Sequence, residues 1–132
     1  MAINTAGQII TGNTSPADPP AFKTGVINYD ATAIVAADYT VVTIGFTPKY
    51  ICWENVTDRV KLEWYEGMAA NSCIKTAATG TRTLEITSGN GGITVCDSAG
   101  VATTLGRSFE VLQNATLAAV LASKVCTWFV RG

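Results

Sequence analysis

The chain has 132 residues, of which 14% are charged, and its formal net charge is −1. Lys and Arg are scattered singly, so the clustered positive charge that neutralises phosphates is absent and we expect no nucleic-acid partner. There is no histidine, which excludes Ser-His-Asp and Cys-His catalytic arrangements. A length of this order predicts a single domain. Together these properties predict a protein that is not an enzyme and has no catalytic residues.

Membrane attachment is not expected either. The first residues, "MAINTAGQII", have neither the positive region nor the apolar core of a signal peptide. The longest apolar run, residues 118–122, is far too short to span a bilayer. The sequence therefore predicts a protein without a membrane partner, in a compartment where thiols stay reduced.

The four cysteines do not form a metal-binding pattern. Cys52, Cys73, Cys96 and Cys126 are widely spaced, lack a CxxC pair, and lie in or beside apolar stretches. Zinc sites use close cysteine pairs or histidine partners, and no EF-hand spacing for calcium occurs. We expect free cysteines that act as small buried apolar groups, with no metal and no cofactor.

Residues 1–21 differ in composition from the rest of the chain. They contain three prolines and many small polar residues but no aromatic residue, which predicts an extended N-terminal arm. The arm can be a loose terminus or a segment that lies over a neighbouring subunit. In the second case Ile3, Ile9 and Ile10 are its apolar anchors, and Phe22, at the start of the first strand pattern, is a fourth partner-binding residue.

From residue 22 onward, short apolar patterns predict β-strands. The first two are "FKTGVINYD" and "DYTVVTIGF", and the second ends at Thr47-Pro48. The stretch "KYICWENVTDRVKLEWYEG" predicts a hairpin with a polar turn near residues 55–58. Residues 69–80 predict a loop.

The second half continues the β pattern with one interruption. "TRTLEIT" predicts a strand with Leu84 facing inward and Glu85 outward, and "SGNGG" predicts a hairpin turn to the returning strand "ITVCD". After the strand "RSFEVL", the segment "QNATLAAVLAS" predicts a short helical turn with Asn114 as N-cap. "KVCTWFVRG" is apolar on both faces, so we expect it between two layers or between the domain and another subunit.

About eight short strands with Gly-rich turns predict an all-β fold, a β-sandwich or a jelly-roll-like barrel. In this interpretation residues 22–132 are one β-sandwich domain, preceded by the arm 1–21 and interrupted by one short helical turn. The aromatic residues are expected in the core or at a subunit interface rather than in a sugar-stacking cleft. They are Trp53, Trp64, Tyr65, Trp128 and Phe129.

One enzymatic alternative remains open at this stage. Glycoside hydrolases use two carboxylates that face each other across a cleft, and Glu63 and Glu85 on neighbouring strands could provide such a pair. Cross-strand ion pairs between Glu63 and the nearby Lys61 or Arg59 are the favoured interpretation.

Five short motifs resemble those of small structural proteins of tailed bacteriophage virions. They are "FTPKY", "NVTDR", "EWYEGM", "GTRTL" and "ASKVCTW", at residues 46–50, 55–59, 63–68, 80–84 and 122–128. The resemblance covers about two thirds of the chain, from Phe46 onward, and fits the first forty residues poorly. The motifs are structural rather than catalytic, so the resemblance implies a component of a phage particle and no active site.

Among virion proteins, the properties of this chain favour a capsid decoration or cement protein. Such a protein binds the major capsid protein on the outer surface of the shell and stabilises the shell. The virion is assembled in the host cytoplasm. A homo-oligomer, most simply a homotrimer, matches the local threefold positions of a shell. Two alternatives stay open: a tail or tail-fibre component, and a glycan- or receptor-binding β-sandwich.

Overall fold

The computed structural model describes residues 21–29, 31, 39–85, 92–112 and 123–132. Several predictions from the sequence lie outside these residues. They are the arm with Ile3, Ile9 and Ile10, most of the "SGNGG" turn, and the helical turn at residues 113–122. The description of the fold below is confined to the described ranges.

The described residues form nine β-strands and two antiparallel sheets. The strands are β1 (Phe22–Asn28), β2 (Tyr39–Thr43), β3 (Tyr50–Asn55), β4 (Val60–Tyr65), β5 (Cys73–Thr76), β6 (Arg82–Glu85), β7 (Ile93–Cys96), β8 (Ser108–Leu112) and β9 (Val125–Arg131). The larger sheet has the order β1-β9-β3-β4-β5-β6, and the smaller has the order β2-β8-β7. The prediction of an all-β sandwich is therefore confirmed.

The two sheets pack face to face around a cluster of aromatic rings. Phe109 on β8 is fully buried and meets Trp53 of the larger sheet edge-on, with ring centroids 6.2 Å apart. It meets Trp128 on β9 in the same way at 6.0 Å, an arrangement that aromatic quadrupoles favour. The rest of the core comes from both sheets: Ile44, Ile51, Val60, Leu62, Trp64, Cys73, Ile93, Val95, Val111, Cys126 and Val130.

A glycine on the edge strand allows one of these rings to lie flat against the backbone. Gly25 pairs with Trp128 in the β1–β9 register. A Cβ atom at position 25 would lie 2.5 Å from the indole ring of Trp128, which is closer than two non-bonded carbon atoms can approach. The sequence "KTGV" therefore places its glycine where the close approach of a ring to the backbone excludes any side chain.

The β3–β4 hairpin matches its prediction closely. Ile51 and Trp53 pair with Trp64 and Leu62, and all four side chains are buried. In the turn, Asn55 donates to the Asp58 carboxylate at 2.9 Å, and its own side-chain oxygen accepts the Asp58 N–H at 3.1 Å. These bonds satisfy the polar groups of the turn and close the hairpin.

Three predictions in the second half are wrong. Residues 73–76, expected in a loop, form β5, whose backbone pairs with both β4 and β6. Leu84 was expected to face inward, but it is 65% exposed on β6. The predicted hairpin between "TRTLEIT" and "ITVCD" does not form, because β6 and β7 belong to different sheets. The strand β5 forms by pairing with its sequence neighbours β4 and β6, and Leu84 shares the exposed face of the sheet with Ile74. Local periodicity did not report either outcome.

β9 does not lie between two layers of the described chain, and the alternative, that another subunit covers its second face, stays a prediction. Cys126 and Val130 are fully buried against the smaller sheet, but Phe129 on the other face is 37% exposed. The smaller sheet covers one side of the larger sheet only. No helix in the described part of the chain is long and apolar enough to cross a membrane.

The packing around Phe109 leads to a stability prediction with a matched control. Phe109→Ala is expected to lower the free energy of unfolding by about 3–5 kcal/mol, because it removes a buried ring from between the two sheets. Phe22→Ala, which truncates a ring that is 66% exposed, is expected to change it by less than about 1 kcal/mol. Urea denaturation measures both values. Equal losses in the two variants would contradict the described packing.

Candidate functional site

The face of the larger sheet that points away from the smaller sheet carries four aromatic rings in a row. Phe22 stacks on Phe129 with centroids 6.1 Å apart, Phe129 lies 6.3 Å from Tyr50, and Tyr50 lies 5.0 Å from Tyr65. We call these four residues the aromatic row. They come from β1, β9, β3 and β4, so the row crosses four adjacent strands of the sheet.

The row follows from alternation and register. Successive side chains on a strand point to opposite faces, so the neighbours of the row residues, such as Ile51, Trp64 and Val130, enter the core. Tyr50 is directly opposite Tyr65 on one side and opposite Arg131 on the other. The Arg131 guanidinium lies 5.7 Å from the centre of the Tyr50 ring, which is a favourable position for a cation above an aromatic face.

One carboxylate is held at the end of the row. Glu63 on β4 is 8% exposed. Its Oε2 atom accepts hydrogen bonds from the Tyr50 hydroxyl at 2.7 Å and from the Tyr65 hydroxyl at 3.2 Å. Its Oε1 atom lies 3.8 Å from Lys61 Nζ and 3.9 Å from Arg82 Nη2. Tyrosine hydroxyls and cations thus surround the carboxylate and fix both rings.

The protonation states agree with these hydrogen bonds. Burial by itself raises the pKa of Glu63, but the Tyr50 hydroxyl, Lys61, the Tyr65 hydroxyl and Arg82 together outweigh it and lower the pKa below its ordinary value. Burial and the bond to Glu63 raise the pKa of Tyr50 well above its ordinary value. Glu63 is therefore ionised and Tyr50 protonated at neutral pH, so the shared proton belongs to the tyrosine.

Beside the row, the same face contains a shallow groove of about 400 Å³. At its centre Thr127 on β9 pairs with Val26 of β1 and with Glu54 of β3. The lining residues are Thr24, Gly25, Val26, Cys52, Glu54, Thr127, Trp128 and Phe129. The aromatic row and this groove together form what we call the open face.

The cysteine thiols have little nucleophilic character. Burial raises the pKa of Cys73 to about 12 and those of Cys96 and Cys126 to about 11. Cys52 is half-buried in the groove, and burial raises its pKa as well. Because the thiolate is the reactive form, these residues serve as packing groups. The predicted burial is thus confirmed for three of the four, and Cys52 is the exception.

The sequence-predicted site residues are only partly brought together. Phe22, predicted to bind a partner, is exposed at one end of the aromatic row, whereas Ile3, Ile9 and Ile10 lie outside the described residues. The remaining aromatic residues divide by face. Trp53 and Trp64 are buried, Trp128 is half-buried, and Tyr65 and Phe129 lie on the open face.

The carboxylates considered for hydrolysis do not face each other. In the registers of β4, β5 and β6, Glu63 is opposite Ile74, which is opposite Leu84, so these three share a face. Glu85 pairs with the buried Cys73 and lies on the other side of the sheet. Within the described residues, no group of three or more His, Cys, Asp or Glu side chains could hold a metal ion.

Sequence reasoning missed Tyr50, Arg131 and the groove. The alternation in "YICWEN" indicated that Tyr50 lies opposite to Ile51 and Trp53, and that signal could have found it. The positions of Arg131 and the groove depend on the pairing of β9 with β1 and β3, which the local sequence does not encode.

The network around Glu63 predicts a pH-dependent contribution to stability. The folded-state pKa is lowered, so this contribution is complete above the ordinary glutamate value of about 4.3 and is lost as pH falls through the folded-state value. Glu63→Gln is expected to be less stable than the parent by about 1–2 kcal/mol at pH 7, because charged hydrogen bonds are replaced by neutral ones. Urea denaturation should show this difference closing below about pH 4.

Glu54→Gln is the control for the loss of one negative charge, since Glu54 lies on the same face outside the Tyr50–Tyr65 pair. The free energy of unfolding of Glu54→Gln should remain close to that of the parent at pH 7. A stability difference for Glu63→Gln that stays constant across the pH range would contradict the assigned role of the ionised carboxylate.

Comparisons with protein-family models, with curated proteins and with solved structures found no match for this chain.

Proposed function

We propose that this chain is a non-enzymatic structural protein of a bacteriophage virion, and that it acts as a capsid decoration or cement protein. In this proposal it binds the outer surface of the shell formed by the major capsid protein and stabilises that shell. The observation that carries the proposal is the aromatic row, an apolar strip on a sheet face that the rest of the described chain leaves uncovered. The sequence motifs that resemble those of phage structural proteins suggest that the chain would join a phage particle.

The chemistry of the open face suits contact with another protein. Tyrosine, phenylalanine and arginine are enriched in protein interfaces, and the row combines Phe22, Phe129, Tyr50 and Tyr65 with Arg131. The rings are held in place by strand pairing and by Glu63, so little side-chain entropy is lost when a partner covers them. Burial of each exposed ring contributes about 25 cal/mol for every Å² removed from water.

The low charge of the chain supports self-association as well as docking. A closed symmetric oligomer uses one surface patch repeatedly, and a trimer fits the threefold positions of a shell. Weak contacts made by each subunit then add through a high effective concentration. The acidic sequence pI of about 5.2 is compatible with a position on the outside of the shell, away from packaged DNA.

A second function, glycan or receptor binding, is favoured by the groove. Glu54 and the Thr24 and Thr127 side chains line the groove next to the Phe129 ring. Aromatic rings beside hydrogen-bonding groups are suited to a sugar ring, whose C–H face packs on the aromatic surface. A receptor-binding module of a phage tail or tail fibre would use the open face in this way.

The first test is co-sedimentation of the purified protein with empty shells of the major capsid protein from the same phage. The protein should sediment with the shells, and Phe22→Ser with Phe129→Ser should weaken binding at least tenfold by removing two exposed rings of the row. Val101→Ser is the matched control, because Val101 is 62% exposed but lies in the loop after β7. It should leave binding unchanged.

Other outcomes identify the alternatives. Binding to purified tails but not to shells would favour the tail assignment. Saturable binding to immobilised oligosaccharides that is lost in Phe129→Ser would favour glycan recognition. Light scattering that shows a monomer at high micromolar concentration would contradict the oligomeric part of the proposal.

A separate test concerns the predicted arm. Deletion of residues 1–21 is expected to leave the urea denaturation midpoint almost unchanged but to weaken attachment to shells, since Ile3, Ile9 and Ile10 are the proposed anchors. The triple substitution of these three isoleucines by serine should reproduce the effect with the chain length kept constant. Loss of folding on deletion would show instead that the segment belongs to the core.

A further inference from the structure

The strand β1 forms one edge of the larger sheet. It has seven residues, whereas β6 at the opposite edge has four. On its inner side every residue of β1 pairs with β9 in one continuous antiparallel register. Among the described strands, none lies on its outer side. The outer side of β1 therefore presents a row of backbone donors and acceptors to which another strand could bind.

Alternation decides which backbone groups of β1 point outward. Just before the strand, the Ala21 carbonyl accepts the Gly132 N–H at 2.8 Å, and just after it the Tyr29 N–H donates to the Lys124 carbonyl at 2.9 Å. Antiparallel ladders alternate between hydrogen-bonded and non-hydrogen-bonded pairs, so the odd-numbered residues of β1 bond to β9. The even-numbered residues point their N–H and C=O groups away from β9. They are Phe22, Thr24, Val26 and Asn28.

These outward groups are complementary to those of a second copy of the same strand. Two β1 strands that run antiparallel with Gly25 at a two-fold axis place Thr24 opposite the partner's Val26. The next outward pair is Phe22 and the partner's Asn28. Both pairs consist of outward-pointing residues, so every outward N–H and C=O group of β1 finds an acceptor or a donor. A register shifted in either direction pairs fewer residues of the strand.

The side chains of β1 are compatible with this register. Thr24 and Val26 are β-branched, and such residues form favourable cross-strand pairs. The Val26 side chain is 61% exposed, and pairing would remove part of its surface from water. Gly25 lies at the axis opposite the partner's Gly25, so no side chain enters the space beside the Trp128 ring that lies against it.

The features that commonly protect a strand edge are scarce in β1. Proline, bulges and charges prevent edge-to-edge pairing in many proteins. β1 contains no proline, its register with β9 has no bulge, and Lys23 is its single charged residue. In the paired strands Lys23 lies opposite the partner's Ile27. The two Lys23 positions are about 14 Å apart at about 3.4 Å per residue, which exceeds the screening length of about 8 Å at physiological ionic strength.

We propose that β1 pairs with β1 of a second copy of this chain about a two-fold axis at Gly25, so that the two larger sheets become one continuous sheet. The main-chain hydrogen bonds provide affinity, as in other cases of strand addition to a sheet edge. The two open faces then lie side by side on one surface. The contact produces dimers, or an even number of copies if a threefold contact elsewhere is added. The inference concerns the isolated protein and does not depend on the proposed function.

The first test is amide hydrogen exchange of the ¹⁵N-labelled full chain at two concentrations, with the mass at each measured by sedimentation. The mass should be that of two copies, or of an even multiple, at high micromolar concentration. The Thr24 and Val26 amides should be protected there and should exchange at least tenfold faster in the dilute monomer. The Gly25 and Ile27 amides, which bond to β9, are the internal control and should stay protected at both concentrations.

Two results of this test would overturn the proposal. One is a monomer or a trimer at high micromolar concentration. The other is protection of the Thr24 and Val26 amides that does not change on dilution, because residues of the same chain would then cover the edge.

The second test is a pair of substitutions at one position. Val26→Pro removes an outward N–H and leaves the bonds to β9 in place, as proline does at a sheet edge. It should weaken dimerisation at least tenfold, because the symmetric contact loses the same hydrogen bond twice. Val26→Thr keeps the N–H and the β-branched shape and should dimerise like the parent. Equal dimerisation of the two variants would contradict pairing through the β1 edge.

Discussion

The contact of Phe109 with Trp53 and Trp128 is the interaction on which the rest of the structure depends. It joins the central strand of the three-stranded sheet to two adjacent strands of the six-stranded sheet. The three-stranded sheet covers one face of the larger sheet, and none of the described strands covers the opposite face of β1, β9, β3 and β4. A constraint of packing therefore creates the open face, and the same strand alternation that fills the core with Ile51 and Val130 places aromatic rings on the outside.

An apolar face open to water is a liability, and the Glu63 network shows how this one is kept ordered. The carboxylate is desolvated, which is unfavourable, but two tyrosine hydroxyls and two nearby cations compensate for it. Tyr50 and Tyr65 are thereby fixed in one orientation, and polar atoms are interspersed with the rings. Such a face is suited to a specific contact more than to indiscriminate aggregation, because the polar groups must be matched by the partner.

The sequence predicted the parts of the fold that local pattern controls. The β3–β4 hairpin, the burial of Trp53 and Trp64 and the all-β class follow from alternation and turn chemistry. The strand β5 was missed because "CIKT" contains only two apolar residues, and its stability comes from backbone pairing with β4 and β6. Phe22 was selected because it begins a strand pattern, yet its position in the aromatic row depends on β9, about a hundred residues away. Pairing over such a distance leaves no trace in a window of ten residues.

The open face differs in character from a second, concave site of about 610 Å³ where the two sheets meet. The open face is broad and aromatic and is formed by strands, whereas the second site is formed by three connections around Trp64. In the proposed cement function, two distinct contact sites would let one molecule contact two neighbours at once. If each contact is weak, attachment is reversible until several copies engage together, and the effective concentration of the second site then makes the assembly stable.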